Sequence, residues 1–172
     1  LQKILKKDIQ NINSYNSLNE LKFIEFPKTG FIELKKMIRK ISNLRGCILL
    51  IDYGYLKSKN QNTLQSVFKH KKNSVLRNLG KADITSHINF NLLDEFFLKN
   101  GLKIKKTVTQ REFLQSLGIN KRAEIISKKM KFSDQANLYL RLKRLLSPLY
   151  MGNLFKVKLA YKFVSNKFFG FE

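Results

Sequence analysis

Acidic residues are scarce. Twelve Asp and Glu face 34 Lys and Arg, a formal charge of +22 over 172 residues, and a field of that strength attracts nucleic acid, an anionic membrane or an acidic protein. Arginine is scarce too: 27 of the basic residues are Lys and only 7 are Arg. The forks that read bases and phosphates bidentately are therefore few. The lysines are spread along the chain, with short clusters at Lys69 to Lys72, Lys103 to Lys106 and Lys128 to Lys131, so compositional drift outranks a dedicated nucleic-acid role. Cysteine occurs once, at Cys47, which excludes a disulfide framework, points to a reducing compartment and reads as a small core residue. No apolar run approaches the roughly 20 residues of a membrane span. The amino end, LQKILKKDIQ, lacks the long hydrophobic region of a signal peptide, and a cytoplasmic protein is expected. The chain opens on Leu1 rather than Met, which reads as a processed, trimmed or partial product.

What is present is a globular pattern: 43% hydrophobic and 12% aromatic residues, enough for one domain with a core. The run Cys47-Ile48-Leu49-Leu50-Ile51-Asp52 reads as a strand covered on both faces. It ends on a carboxylate, at the strand end where α/β sheets hold ligands. Before it, Phe31, Leu34, Ile38, Ile41 and Leu44 predict a helix stopped by Gly46. Helix, tight turn and buried strand together suggest a βαβ crossover. Further upstream, Ile4, Leu5, Ile9 and Ile12 predict a helix, NINSYNSLNE a loop, and Leu21 to Phe26 a strand stopped by Pro27.

Residues 56–86 lack periodicity and predict a long irregular connection of the kind that carries function. Asn89 or Asn91 is expected to cap a helix through Leu93, Phe96 and Phe97 that ends at Asn100-Gly101. A strand over Leu102 to Val108 follows. Thr109 and Glu112 form a capping-box pattern at the start of the next helix. Two more helices, about 121–131 and 134–146, precede a half-buried strand over Phe155 to Tyr161.

The fold class is α/β with a short strand inventory, so the sheet is incomplete as a stand-alone domain. At this point IDYGY (51–55), TLQSVFKH (63–70), ADITSHINF (82–90), TQREFLQSLGI (109–119) with Arg122, and MGNLFKV (151–157) come together. In order and spacing they resemble the successive motifs of the MidA-like S-adenosylmethionine-dependent methyltransferases, the family that includes the mitochondrial complex I assembly methyltransferase. The resemblance runs from about Phe31 to Val157. It is loose over LKFIEFPKTGFIEL.

The resemblance implies the carboxyl-terminal part of a Rossmann-like methyltransferase sheet, strands five to seven with flanking helices and the last strand antiparallel. CILLIDYGY would be the fifth strand. It implies methyl transfer to arginine of a partner protein, such as a respiratory complex subunit, with S-adenosylmethionine as the cofactor of the complete enzyme. The family's Glu-x-Gly-x-Gly loop has no counterpart here: all eight glycines are isolated. Only 46 residues precede Cys47, where four strand-helix units of roughly 30 residues each would be needed. The expectation is an enzyme part that is inactive alone, binds no cofactor by itself and is completed by a separately encoded amino-terminal half. Residues 1–29 form a divergent leading segment with a helix and a strand, residues 30–163 the methyltransferase part, and residues 164–172 a tail.

Substrate-side candidates are Asp52, Tyr53, Gly54, Tyr55, His70, Asp83, Thr85, His87 and Gln110. Carboxylates, tyrosines and histidines at strand ends are what in-line methyl transfer requires for orienting an acceptor nitrogen and its proton. Asp52 stays open between a substrate-side role and capping of the following turn, and Tyr53 and Tyr55 read first as packing aromatics. The Asp and His positions lack HxxxH or CxxC spacing, and no metal set is assigned. Two other readings remain beside the enzyme: a basic nucleic-acid-binding module and a non-catalytic protein-interaction domain. A strand edge left open beside CILLID would favour self-association.

Overall fold

The computed structural model describes residues 2–163 and 167–171. Its main sheet follows the order β5-β1-β8-β6, with β7 also paired to β8. Strand β1 (Cys47–Tyr55) sits between β8 (Phe155–Tyr161), antiparallel along its length, and β5 (Ile88–Asn89), parallel but touching only Gly54 and Tyr55. Strands β6 (Lys103–Ile104) and β7 (Val108–Thr109) run antiparallel to β8 on its other side. The last strand is thus antiparallel and inserted between the first and the edge.

Helix α2 (Lys28–Asn43) feeds β1 through the Gly46 turn, whose N–H donates to the Ile41 carbonyl at 2.8 Å. Helix α3 (Phe90–Lys99) packs Leu92, Leu93, Phe96 and Phe97 into the core. Asn89, not Asn91, is its cap, accepting from the Leu92 N–H at 3.2 Å. Phe31 of α2 stacks on Phe96 with ring centroids 4.0 Å apart. Each such fully buried aromatic contributes about 1.5–3 kcal/mol relative to exposure. Helix α1 (Gln2–Asn13) and the 3₁₀ turn at Asn16–Leu18 dock on this core through Tyr15 and Leu18. Glu95 holds that turn, accepting from the Asn16 and Ser17 N–H groups at 2.8 and 2.9 Å.

After the sheet edge come α4 (Gln110–Ser116), α5 (Ile119–Ser127), α6 (Phe132–Leu146) and the short α7 (Met151–Leu154). The Thr109–Glu112 capping box is formed, with Thr109 N–H donating to Glu112 at 2.7 Å. A Cβ on Gly152 would stand 2.2 Å from the Leu146 carbonyl oxygen, so the glycine of MGNLFKV is required by the backbone of the preceding helix end. Residues 167–171 fold back, with Phe171 5.3 Å from the Phe113 ring. Residues 164–166 and 172 of the expected tail lie outside the described residues.

Several expectations are corrected. Leu21 to Phe26 is not a strand: the Lys22 and Phe23 N–H groups donate to the Asn60 side chain instead of a ladder. The Leu102–Val108 strand is broken into β6 and β7, and in the gap the Lys158 ammonium donates to the Lys105 carbonyl at 2.6 Å. Residues 56–86 carry a small antiparallel sheet, in which β2 (Gln65–Phe68) lies between β3 (Lys71–Asn73) and β4 (Asp83–Thr85). Its hairpin turns on Lys69 and His70, both at positive φ, as a two-residue primed turn demands. Of the two helices after Gly118, the first starts and stops earlier than spacing alone suggests, at 119–127, and the second starts two residues earlier but stops at 146 as expected.

Strand β1 is not covered on both faces. Ile48 is buried, but Leu49 and Ile51 are 47% and 48% exposed and Cys47 is exposed rather than a core residue. Beyond Gly54 and Tyr55, the edge of β1 opposite β8 has no strand neighbour among the described residues.

Lys158, on the core side of β8, is 0% exposed. Its Nζ lies 2.6 Å from Asp94 Oδ1, an ion pair by distance whose angle falls outside hydrogen-bond geometry. Burial pulls the lysine down and pushes the aspartate up, each opposed by the other's charge.

Candidate acceptor site

The carboxyl end of β1 is where the candidate residues gather. Gly54 is there because nothing larger fits: a Cβ would lie 2.2 Å from the Ile88 carbonyl oxygen and 2.8 Å from the Phe90 ring. Its absence lets β5 close on β1 and sets His87 beside Tyr53. The Tyr53 ring makes edge contacts with His87 at 5.4 Å and Phe155 at 5.5 Å. Asp52 is half-buried and accepts from the Tyr53 N–H at 2.8 Å, but it lies inside β1, which runs on to Tyr55, so it neither ends the strand nor caps a following turn.

Beneath this strand end, the segment 25–34, Leu50 and the segment 86–93 enclose a cavity of 320 Å³. Its walls are largely apolar, from Phe26, Phe31, Leu34, Leu50, Leu92 and Leu93, and its polar groups come from Glu25, Ser86, His87 and Asn89. A small apolar pocket with a few convergent polar groups is the usual form of a ligand site.

Glu25 and Thr63 organise the polar side. Glu25 accepts from the Thr63 N–H at 2.9 Å and from its hydroxyl at 2.5 Å, and that hydroxyl accepts from the His87 N–H at 2.9 Å. The Tyr55 hydroxyl is pushed up by burial and then by the Glu25 charge, against a hydrogen bond with Gln61. Lys59 lies over the Tyr55 ring at 5.9 Å. Ser58 ties the loop to the cap of α3, with Asn89 Nδ2 donating to its Oγ at 3.0 Å.

Tyr53, Gly54, Tyr55 and His87 are therefore brought together. His70 stands exposed at the tip of its hairpin and Asp83 is exposed on β4, where Thr85 is held in the ladder against Gln65. Gln110 is buried and donates to the Leu145 carbonyl at 2.9 Å, fastening α4 to the end of α6. Of the nine candidates only His87 lines the cavity. Glu25 and Thr63 were missed as site residues. The available signal was a lone acid between Ile24 and Phe26 in a strongly basic chain, just before Pro27.

A wider, open groove of 900 Å³ between α1, α2 and α3 carries Lys7, Lys28 and Lys35 around Phe31 and Phe96, away from the β1 strand end. Among the described residues no three His, Cys, Asp or Glu side chains are placed to hold a metal ion. Gly54 and Gly152 face the chain's own carbonyls, and Gly80 and Gly118 face open space.

The antiparallel insertion of β8 between β1 and β6, with helices joining the strands, defines an α/β fold shared with solved methyltransferase-like proteins. A Burkholderia thailandensis superfamily member crystallised with S-adenosyl-homocysteine superposes with a TM-score of 0.61 at 23% identity, over 80% of this chain and 36% of that one. Residues 2–108 match the family described as "Putative S-adenosyl-L-methionine-dependent methyltransferase". The chain belongs to this family, the MidA-like methyltransferases.

Two similar relatives are the Caenorhabditis elegans protein arginine methyltransferase NDUFAF7 homolog, mitochondrial, and the Xenopus laevis protein arginine methyltransferase NDUFAF7, mitochondrial. The first is 33% identical over 96 residues, 56% of this chain and 22% of its own length. The second is 27% identical over 134 residues, 77% of this chain and 30% of its own length. The chain thus spans between a fifth and a third of these relatives. No helix among the described residues is long and apolar enough to cross a membrane.

Proposed function

We propose that this chain is the carboxyl-terminal, acceptor-side part of an S-adenosylmethionine-dependent methyltransferase that modifies arginine of a partner protein, inactive until an amino-terminal part supplies the cofactor loop. The observation that carries the reading is the open edge of β1 over 47–53, flanked by exposed Leu49 and Ile51. A strand of the missing half would pair there, and its helices would cover the exposed face. Between a fifth and a third of each relative's length is matched, which fits a part of that enzyme. The relatives' names supply the arginine acceptor, and a respiratory complex subunit is the partner that the family resemblance suggests. Those names also place the relatives in mitochondria, a compartment as compatible with the single thiol of Cys47 as the cytosol expected from the sequence.

In this reading S-adenosylmethionine supplies the methyl group from the other half. This chain's residues receive the acceptor: the apolar cavity holds its stem away from water, and the polar rim orients its nitrogen. The test is transfer of a labelled methyl group to an arginine peptide, by the chain alone and mixed with the amino-terminal part of a family member. Transfer confined to the mixture is expected, and transfer by the chain alone would contradict the reading.

A further inference from the structure

Glu25 is the one acid among the residues that line the 320 Å³ cavity. Among the described residues the ion pairs engage Asp8, Glu33, Asp94, Glu95 and Glu124, but Glu25 makes none, in a chain of +22 with abundant lysine. It is half-buried on the wall of the 320 Å³ cavity and both its oxygens are already oriented by Thr63. A carboxylate has about four acceptor sites. Two are used, so two remain for an outside donor, the number a guanidinium fork supplies.

Resting on the acceptor reading above, we infer that Glu25, positioned by Thr63, is the residue that binds the guanidinium of the acceptor arginine in this cavity. Its surroundings match that ligand part by part. Phe26, Leu34, Leu50 and Leu92 offer an apolar lining to the methylene stem, and the pocket is near the lower bound of ligand cavities, about 300 Å³, sized for a side chain rather than a nucleoside cofactor. The neighbouring Tyr55 ring already faces one cation, Lys59, and an aromatic face is a weak cation site in its own right. The Thr63 hydroxyl, accepting from His87 and donating to Glu25, fixes the carboxylate across three segments of the chain. The chain's net field opposes an arginine, so affinity has to come from this local carboxylate. At physiological salt, charges beyond about 8 Å are largely screened and that opposition is weakened.

The experiment is an amide chemical-shift titration of this chain with N-acetyl-argininamide and with its neutral urea isostere, N-acetyl-citrullinamide. Saturable shifts at Glu25, Thr63 and His87 with the arginine probe are expected, with at least tenfold weaker response to citrulline. The E25Q variant should lose the response by tenfold or more, whereas D134N, on exposed α6, should keep it. Equal response to both probes, no response to either, or an unchanged response in E25Q with native near-ultraviolet dichroism would overturn the assignment. The probe comparison within the unmodified chain decides the matter even where E25Q fails to fold. It uses no cofactor and no second half, so its failure removes Glu25 as the binding residue while the transfer assay judges the methyltransferase reading separately.

Discussion

Thr63 and Glu25 stand 38 positions apart in sequence and hold each other through two hydrogen bonds, from the threonine N–H at 2.9 Å and its hydroxyl at 2.5 Å. This contact joins the segment before α2 to the loop after β1, beside the cavity that Glu25 lines. Thr63→Val keeps the β-branched shape and removes only the hydroxyl, leaving the His87 N–H without its acceptor. Urea unfolding should show a loss of about 1–3 kcal/mol with an unchanged m value, and the His87 amide resonance should shift. A stability within experimental error of the parent would mean that the contact is not formed in solution.

The Lys158–Asp94 pair behaves asymmetrically. Asp94→Asn leaves an ammonium with no exposure and one carbonyl partner, and should cost about 3–5 kcal/mol. Lys158→Met leaves a carboxylate whose side chain is 29% exposed and able to hydrate, and should cost clearly less. Equilibrium unfolding of both variants decides the order. The reverse order would place the burial on the wrong partner.

Acid should weaken the fold through two carboxylates. Burial alone would raise Glu95, but the Ser17 and Asn16 N–H groups, the Ser17 hydroxyl and Lys99 outweigh it and hold it low. The Thr109 N–H and hydroxyl hold Glu112 low in the same way. A carboxyl lowered in the folded state adds stability that is complete above the unfolded value, near 4.5, and is lost as pH falls through the folded value. Asp94, raised by burial, works in the opposite direction, as pH falls from its folded value toward the unfolded one near 3.8. Net stability should therefore fall below about pH 4.5, and Glu95→Gln should flatten that decline and release the 3₁₀ turn at Asn16–Leu18. A decline of equal steepness in Glu95→Gln would remove Glu95 from the account.

The regular elements were legible wherever one period dominated. Phe31, Leu34, Ile38 and Ile41 marked α2, the Thr109–Glu112 pair marked the start of α4, and alternation marked β8 as a strand, although Lys156 to Ala160 are all buried and the strand is not the half-buried one that alternation suggested. The small sheet was hidden because its strands are three or four residues long and polar, and its turn at Lys69–His70 lacks the usual glycine or asparagine. Leu21 to Phe26 alternated correctly but found no ladder partner, since Asn60 takes two of its donors. The gap between β6 and β7 holds a contact from Lys158, over 50 residues away, that no local pattern encodes. The site divided similarly. Tyr53, Gly54, Tyr55 and His87 lie in motifs, whereas Glu25 acquires its meaning only through Thr63.

Gly54→Ala should be among the most damaging single-methyl changes. The added carbon would sit 2.2 Å from the Ile88 carbonyl oxygen and 2.8 Å from the Phe90 ring. Overpacking of this kind costs about 1–3 kcal/mol and more where backbone must move, so a cost of about 3 kcal/mol is expected, with loss of the Tyr53–His87 ring contact. Thermal unfolding and the His87 ring resonances report both.

The open edge of β1 should make the isolated chain self-associate. Apparent mass by light scattering should rise with concentration, and Leu49→Lys should reduce the rise by placing a charge on the unpaired strand. A strictly monomeric chain at all concentrations would show the edge to be covered.

The most direct test of the account is thermal unfolding followed by near-ultraviolet circular dichroism, with and without saturating S-adenosylmethionine. A ligand raises the melting temperature only by binding the folded form. If the cofactor loop belongs to the other half, as proposed, the melt should be unmoved by the cofactor. A saturable increase would mean that this chain holds the cofactor by itself, and the acceptor-side reading would be wrong.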